Sequence, residues 1–261
     1  VKAGRFSVRL FSWGDMGNRR IKLVVRYDGT EYSGWQRQRC RKTVQETLQN
    51  AIERLCGVQV ELFGSSRTDA GVHALGQVAH FDVDSRVPTA NFAKALNNIL
   101  PQDIAVAEAK EVSPSFDAIS DTKCKLYRYS IYTGPARPVM DIRFCWHRPG
   151  MLDVEAMATA AAMLKGRHDF KSFANAADRR TSSVRTITSC RVMRDENWVL
   201  IDVEADGFLY NMVRNIVGTL VEVGRGRWGP QNLADILAAK DRSAAGPVAP
   251  ASGLCLMRIN Y

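Results

Sequence analysis

Apolar and polar residues along Ile21-Lys-Leu-Val-Val-Arg-Tyr27, followed by the turn pair Asp28-Gly29, predict a strand. Thr43-Val-Gln-Glu46 has the spacing of a capping box. Val44, Leu48, Ala51, Ile52 and Leu55 then recur at helical intervals up to Gly57, which predicts a helix with a defined start and stop. Val58–Phe63 reads as a short strand, Gln77–Val83 as an alternating one, Thr89–Leu100 as a second helix and Ile104–Val112 as a strand. The order strand, helix, strand, strand, helix, strand is a split β-α-β unit.

The pattern breaks at Ser113-Pro114-Ser115 and then resumes. Lys123–Tyr132 predicts a strand, Asp153–Leu164 a helix ending at Gly166, and Thr186–Arg194 with Trp198–Ala205 a strand pair around Asp195-Glu196-Asn197. Leu209, Met212, Val213, Ile216, Val217 and Leu220 mark a strongly amphipathic helix, Leu233–Ala239 a shorter one, and Leu254–Ile259 a last strand. The second half thus approximately repeats the first with one helix added. The expected fold is α+β: two split β-α-β (ferredoxin/RRM-like) halves, 19–112 and 113–261, whose antiparallel sheets join around a central cleft. Residues 1–18, basic and preceding this pattern, are expected to be an extension, either a targeting remnant or sequence upstream of a start at Met16.

Composition narrows the class. The 261 residues are 46% hydrophobic and 24% charged, as in a globular enzyme, and the net charge of +9 favours polyanionic partners. Six cysteines are scattered without a Cys-x-x-Cys pair, and four histidines lack helical ligand spacing, so neither a zinc site nor a disulfide scaffold is expected. Free thiols fit a reducing, cytoplasmic setting, or an organelle if residues 1–18 are a targeting remnant. No apolar run approaches the roughly 20 residues of a membrane span, so no membrane association is expected.

Candidate chemistry centres on Gly64-Ser-Ser-Arg-Thr-Asp-Ala-Gly-Val-His-Ala74, which places Asp69 in a polar turn between two predicted strands. Arg214, at the edge of the apolar arc of its helix, is either a surface arginine or the neutraliser of a carboxylate, with Gly218 one turn on offering close approach. Tyr127 is either a core ring or one that stacks on a base. Arg37, Arg39, Arg41 and Lys42 form either a solvated basic loop around Trp35 or a nucleic-acid arm. His73 and His80 are read as structural. Glycoside hydrolysis usually needs two carboxylates and this motif supplies one, while no phosphate-binding glycine loop occurs. A lone Asp on a basic, metal-free protein suggests covalent or electrostatic catalysis at a sugar carbon of a nucleic acid. An RNA-binding module with an idle Asp and a nucleoside hydrolase remain as alternatives.

Several motifs, in order, resemble the tRNA pseudouridine synthase A (TruA) family. They are Tyr27-Asp-Gly-Thr30 with Gly34-Trp-Gln36, Thr43-Val-Gln45, Arg67-Thr-Asp-Ala-Gly-Val-His-Ala74, Lys125-Leu-Tyr-Arg-Tyr129, Phe208-Leu-Tyr-Asn-Met-Val-Arg-Asn-Ile-Val-Gly218 and Ala249-Pro-Ala-Ser-Gly-Leu254. The resemblance implies a cofactor-independent isomerase that converts uridine to pseudouridine at positions 38, 39 and 40 of the tRNA anticodon stem-loop, working as a homodimer. By the same resemblance Asp69 is the nucleophile, Tyr127 stacks on the target base, Arg214 pairs with the aspartate, and Arg67 helps fill the space of the displaced base. The chain departs from the family pattern at Tyr32-Ser33 and around Arg137–Phe144, regions that bear on RNA contacts rather than on the chemistry.

Overall fold

The computed structural model describes residues 17–178 and 180–261; the expected extension at residues 1–18 therefore lies outside them except for Gly17 and Asn18. In chain order the elements are β1 (Arg19–Tyr27), α1 (Val44–Cys56), β2 (Phe63–Gly64), β3 (His73–Val83), α2 (Thr89–Asn97), β4 (Ile104–Val112) and β5 (Cys124–Tyr132). They continue with β6 (Trp146–His147), α3 (Val154–Ala162), β7 (Gly166–Asp169), β8 (Val184–Asp195), β9 (Trp198–Ala205), α4 (Met212–Gly224), α5 (Asn232–Ala239) and β10 (Leu254–Asn260). Local chemistry sets these limits. The Thr43 hydroxyl accepts from the Glu46 backbone N–H at the start of α1, and Gly57 ends it in the left-handed region that costs glycine least. Asp153 caps α3 in the same way through Ala156 N–H.

The strands join one sheet in the order β4-β1-β3-β10-β5-β9-β8-β7, with β2 paired to β3 and β6 to β5. The order β4-β1-β3-β2 is that of a split β-α-β unit, and β10-β5-β9-β8 repeats it in the second half. The seam between the repeats is where the two half-sheets join. The two antiparallel sheets meet through a parallel pairing, Cys255 opposite His73 and Leu256 opposite Ala74. It is short because β3 is shared: the same edge carries β2 further along, where Phe63 and Gly64 face His80 and Ala79.

The expected strand Val58–Phe63 is likewise reduced to its last residue plus Gly64. Its backbone is satisfied by α1 instead of by a neighbouring strand. Glu53 Oε1 accepts from Val60 N–H and Gln45 Nε2 donates to the Leu62 carbonyl. The short strands β6 and β7 carry no alternation that distinguishes them from loop. Odd-numbered positions of β1 and β5 (Ile21, Leu23, Val25; Tyr127, Tyr129, Ile131) are buried in one contiguous cluster that includes Phe92, Leu48, Ile216 and Leu220 of the helices. Burying such side chains contributes roughly 1.5–3 kcal/mol each. No helix of the described residues is long and apolar enough to cross a membrane.

Candidate active site

Asp69 lies in the segment Ser65–Val72, between β2 and β3 and beside the seam. This segment has no regular secondary structure, so its polar backbone must find partners elsewhere. Gln77 of β3 supplies two: its Nε2 donates to the Ser66 carbonyl at 2.6 Å and its Oε1 accepts from Ser66 N–H at 3.2 Å. The Tyr27 and Thr68 hydroxyls lie 2.8 Å apart, and Trp35 N–H donates to the Thr68 carbonyl at 3.0 Å. Asp69 itself accepts from Val72 N–H through its carbonyl at 3.1 Å. Gly34 makes this approach possible. Its φ is +93°, and a Cβ there would fall 2.6 Å from the Thr68 carbonyl oxygen. The motif residues near the N-terminus therefore act as a clamp on the Asp69 loop, a role that their spacing in sequence does not reveal.

Across the seam, α4 presents Arg214. Its Nη1 lies 3.6 Å from Asp69 Oδ2, a close charge contact rather than a formed hydrogen bond. Arg214 is itself anchored, with Nε donating to the Ala249 carbonyl at 2.7 Å and Nη1 to Asn211 Oδ1 at 3.2 Å. The segment carrying Ala249 can cross α4 so closely only because residue 218 is glycine. A Cβ at Gly218 would sit 1.7 Å from the Pro247 carbonyl oxygen. Burial pushes the Asp69 carboxyl above its ordinary pKa, and the charge and contact of Arg214, helped by the charge of Arg180, offset only part of that rise. The site thus holds a poorly solvated carboxylate next to a fixed cation.

The two residues face a cleft of about 800 Å³, also lined by Arg67, Tyr127, Lys125 and Phe208. The Tyr127 hydroxyl is 2.8 Å from that of Ser66, and its ring meets Phe208 edge-on at 5.1 Å between centroids. Burial keeps the phenol neutral by raising its pKa well above the ordinary value. Arg67 is exposed at the cleft edge. Asp69 and its neighbour Arg67 are therefore brought together with Tyr127 and Arg214, which lie far from them and from each other in sequence. Asp178, Arg180 and Arg185 also line the cleft. Sequence reasoning missed them because they lie in or next to an irregular segment with no pattern of its own; Lys125 was detectable, since it stands two residues before Tyr127 on the same face of β5.

The basic loop is not part of this cleft. Arg37 lies 3.5 Å from Glu46, and Lys42 lies 3.7 Å from Asp103 and over the Tyr32 ring at 4.3 Å. Arg39 and Arg41 are exposed. The reading of His73 as structural fits its surroundings. Its Nδ1 accepts from Gly29 N–H at 3.0 Å and burial lowers its pKa, so the nearby Asp28 oxygen at 3.2 Å faces a neutral ring, and Asp28 pairs instead with Arg143 at 3.0 Å. His80 Nδ1 similarly accepts from Ala118 N–H.

A family model described as tRNA pseudouridine synthase matches residues 23–119 and 160–261. A protein named tRNA pseudouridine synthase A from Thermoanaerobacter sp. (strain X514) is 45% identical over 243 residues, covering 93% of this chain and 100% of the relative. One of the same name from Clostridium kluyveri is 45% identical over 241 residues, covering 92% of this chain and 99% of its own length. Among solved structures, the archaeal box H/ACA sRNP Nop10-Cbf5 complex aligns at 12% identity with a TM-score of 0.33, over 77% of this chain and 44% of the other. That likeness is too remote to bear on the site.

Proposed function

The chain belongs to the tRNA pseudouridine synthase family, and on that premise we propose that it isomerises uridine to pseudouridine at positions 38, 39 and 40 of the tRNA anticodon stem-loop. The observation that carries this reading is the Asp69–Arg214 pair, 3.6 Å apart in the cleft where the two repeats meet. A uridine in a stem is stacked and paired, and extruding it costs a few kcal/mol, which phosphate contacts and a stacking surface offset. Tyr127 provides that surface, and Arg67 at the edge fills the gap left in the stem. The Asp69 carboxylate acts on the ribose as the N1–C1′ bond breaks, and the base leaves with the bonding electron pair. The base then turns within the cleft and rejoins C1′ through C5. C5 loses its proton and N1 gains one, so no atom is lost and no cofactor is needed. Water must be kept from C1′ throughout, or the product would be free uracil.

The test is a nucleoside balance. After incubation with an unmodified tRNA transcript, the uridine lost should equal the pseudouridine gained. Release of free uracil in place of pseudouridine would establish a hydrolase instead. The protein is proposed to act in the cytoplasm as a homodimer with each tRNA touching both subunits. Leu75 and Phe144, large apolar residues exposed by about half, border a hollow of about 530 Å³ lined also by Arg128 and Ser130, on the opposite side of the sheet from the cleft, and support that association.

Arg37, Arg39, Arg41 and Lys42 are proposed to hold the tRNA backbone outside the cleft. Neutralising Arg37, Arg39 and Arg41 together should weaken all tRNA substrates alike. It should also lower the slope of log affinity against log salt by about 0.7–0.9 for each phosphate that the protein no longer neutralises. Titrations at several salt concentrations check this, and an unchanged slope would remove the loop from the interface.

A further inference from the structure

The charges of the cleft do not balance. Among the described residues, Arg67, Lys125, Arg180, Arg185 and Arg214 face it against two carboxylates, Asp69 and Asp178. Both carboxylates are already engaged. Asp69 lies beside Arg214, and Asp178 is bound by Arg180 at 2.6 Å and by Tyr210 N–H at 2.8 Å. Arg67 stands at the exposed edge, which leaves Lys125 and Arg185 as the cations inside the cleft with no carboxylate in contact among the described residues.

Neither has an acidic partner at contact distance among the described residues. Lys125 Nζ donates to the Ser65 carbonyl, and an ammonium has two further N–H donors. Arg185 Nη1 donates to the carbonyls of Ser182 at 3.1 Å and Val184 at 2.6 Å. We propose that Lys125 and Arg185 form a phosphate seat that takes one of the two phosphodiesters flanking the flipped nucleotide; the assignment rests on the isomerase reading above.

Position supports an anion of this kind. Lys125 and Tyr127 stand two residues apart on one face of β5, about 7 Å along the strand. Both reach the Asp69 loop, one at the Ser65 carbonyl and the other at the Ser66 hydroxyl. A base lying on Tyr127 therefore has its own backbone within reach of Lys125. Electrostatics agree: burial, with the added charge of Arg180, pushes the Lys125 pKa down to about 8, and burial followed by Arg180 lowers that of Arg185 against the opposing charges of Asp206 and Asp178. Neither cation is offset by a carboxylate in contact among the described residues, and Arg185 has only the more distant charges of Asp206 and Asp178. An incoming phosphate relieves both and fixes the ribose relative to Asp69, which the basic loop, lying outside the cleft, does not do.

The experiment combines a protein change with a neutral phosphate. A tRNA stem-loop carries a methylphosphonate immediately 5′ or immediately 3′ of the reactive uridine, and each is assayed with wild type and Lys125→Met. With wild type, one of the two substitutions should lower kcat/KM by about 10- to 100-fold, as expected for loss of a charge-assisted hydrogen bond. Lys125→Met should lose a similar factor on the unmodified RNA, and the same methylphosphonate should then cost it less than about threefold more. Full additivity, or indifference of wild type to both methylphosphonates, overturns the seat. Arg185→Gln, tested identically, replaces Lys125→Met if thermal melting shows that variant to be unfolded. Failure of the isomerase reading is separate: wild type would form no pseudouridine even in unmodified RNA, and the seat would fall with it.

Discussion

Asp69→Asn is expected to bind tRNA within about threefold of wild type, because affinity resides mainly in phosphate contacts, while pseudouridine formation falls by roughly 10,000-fold or more. The substitution is nearly isosteric and retains an oxygen facing Arg214. What it removes is the negative charge, and among the described residues no other carboxylate is placed to replace it. Asp178, the other acid in the cleft, is held by Arg180 and Tyr210, which keep it ionised and bound although burial alone would raise its pKa. Equilibrium binding and single-turnover assays on the same preparation separate the two effects. Retention of wild-type activity by Asp69→Asn would show that the reaction does not use this carboxylate. Tight binding with no pseudouridine even by wild type would favour an RNA-binding module.

Arg214→Met is expected to lower kcat/KM at neutral pH by roughly 100- to 1,000-fold, and to shift the pH dependence in a direction that follows from the site. Burial raises the Asp69 pKa, and the Arg214 charge opposes that rise. The ionised carboxylate is the active form, so wild-type activity falls as the pH drops through this raised pKa. Without the guanidinium, burial acts with less opposition and the pKa rises further. The acid limb of the profile should then move to higher pH, and the plateau should fall as the developing charge loses its fixed neighbour. Arg214→Lys keeps a cation but not the fork that binds the Ala249 carbonyl and Asn211 together, so it should fall between the two. A kcat/KM profile from pH 5 to 9 is the measurement. An unmoved acid limb in Arg214→Met would show that the cation does not govern the ionisation of Asp69.

Most of the repeating units could be read from the chain because their signals are local. Thr43 and Gly57 bound α1, and the alternation of β1, β5 and β9 follows from a sheet with one buried face. The seam could not be read, because the two residue pairs that join β3 to β10 bring together stretches about 180 residues apart, and neither carries a mark of its partner. The shortness of β2 was hidden for a related reason: side chains of α1 satisfy its preceding backbone, and a strand-like pattern does not show which partner will do so.

In the site, Asp69, Tyr127, Arg67 and Arg214 were identifiable from motifs, whereas their convergence depended on the seam. Gly218 was legible as a place of close approach, but not that the approaching chain is Pro247, which sets Ala249 against Arg214. Asp178 and Arg180 left no trace, since an irregular segment reveals its charges only once its path is known, and Arg185 at the start of β8 depends on that same path.

If this cleft converts uridine to pseudouridine in the anticodon stem-loop through Asp69, a map of pseudouridine at single-nucleotide resolution reads that conversion directly. Unmodified tRNAs with uridine at positions 38, 39 or 40 are incubated with wild type and, in parallel, with Asp69→Asn. Pseudouridine is expected at those positions with wild type and none with the variant. Unconverted uridine at all three positions with wild type, or an equal map from the variant, would contradict it.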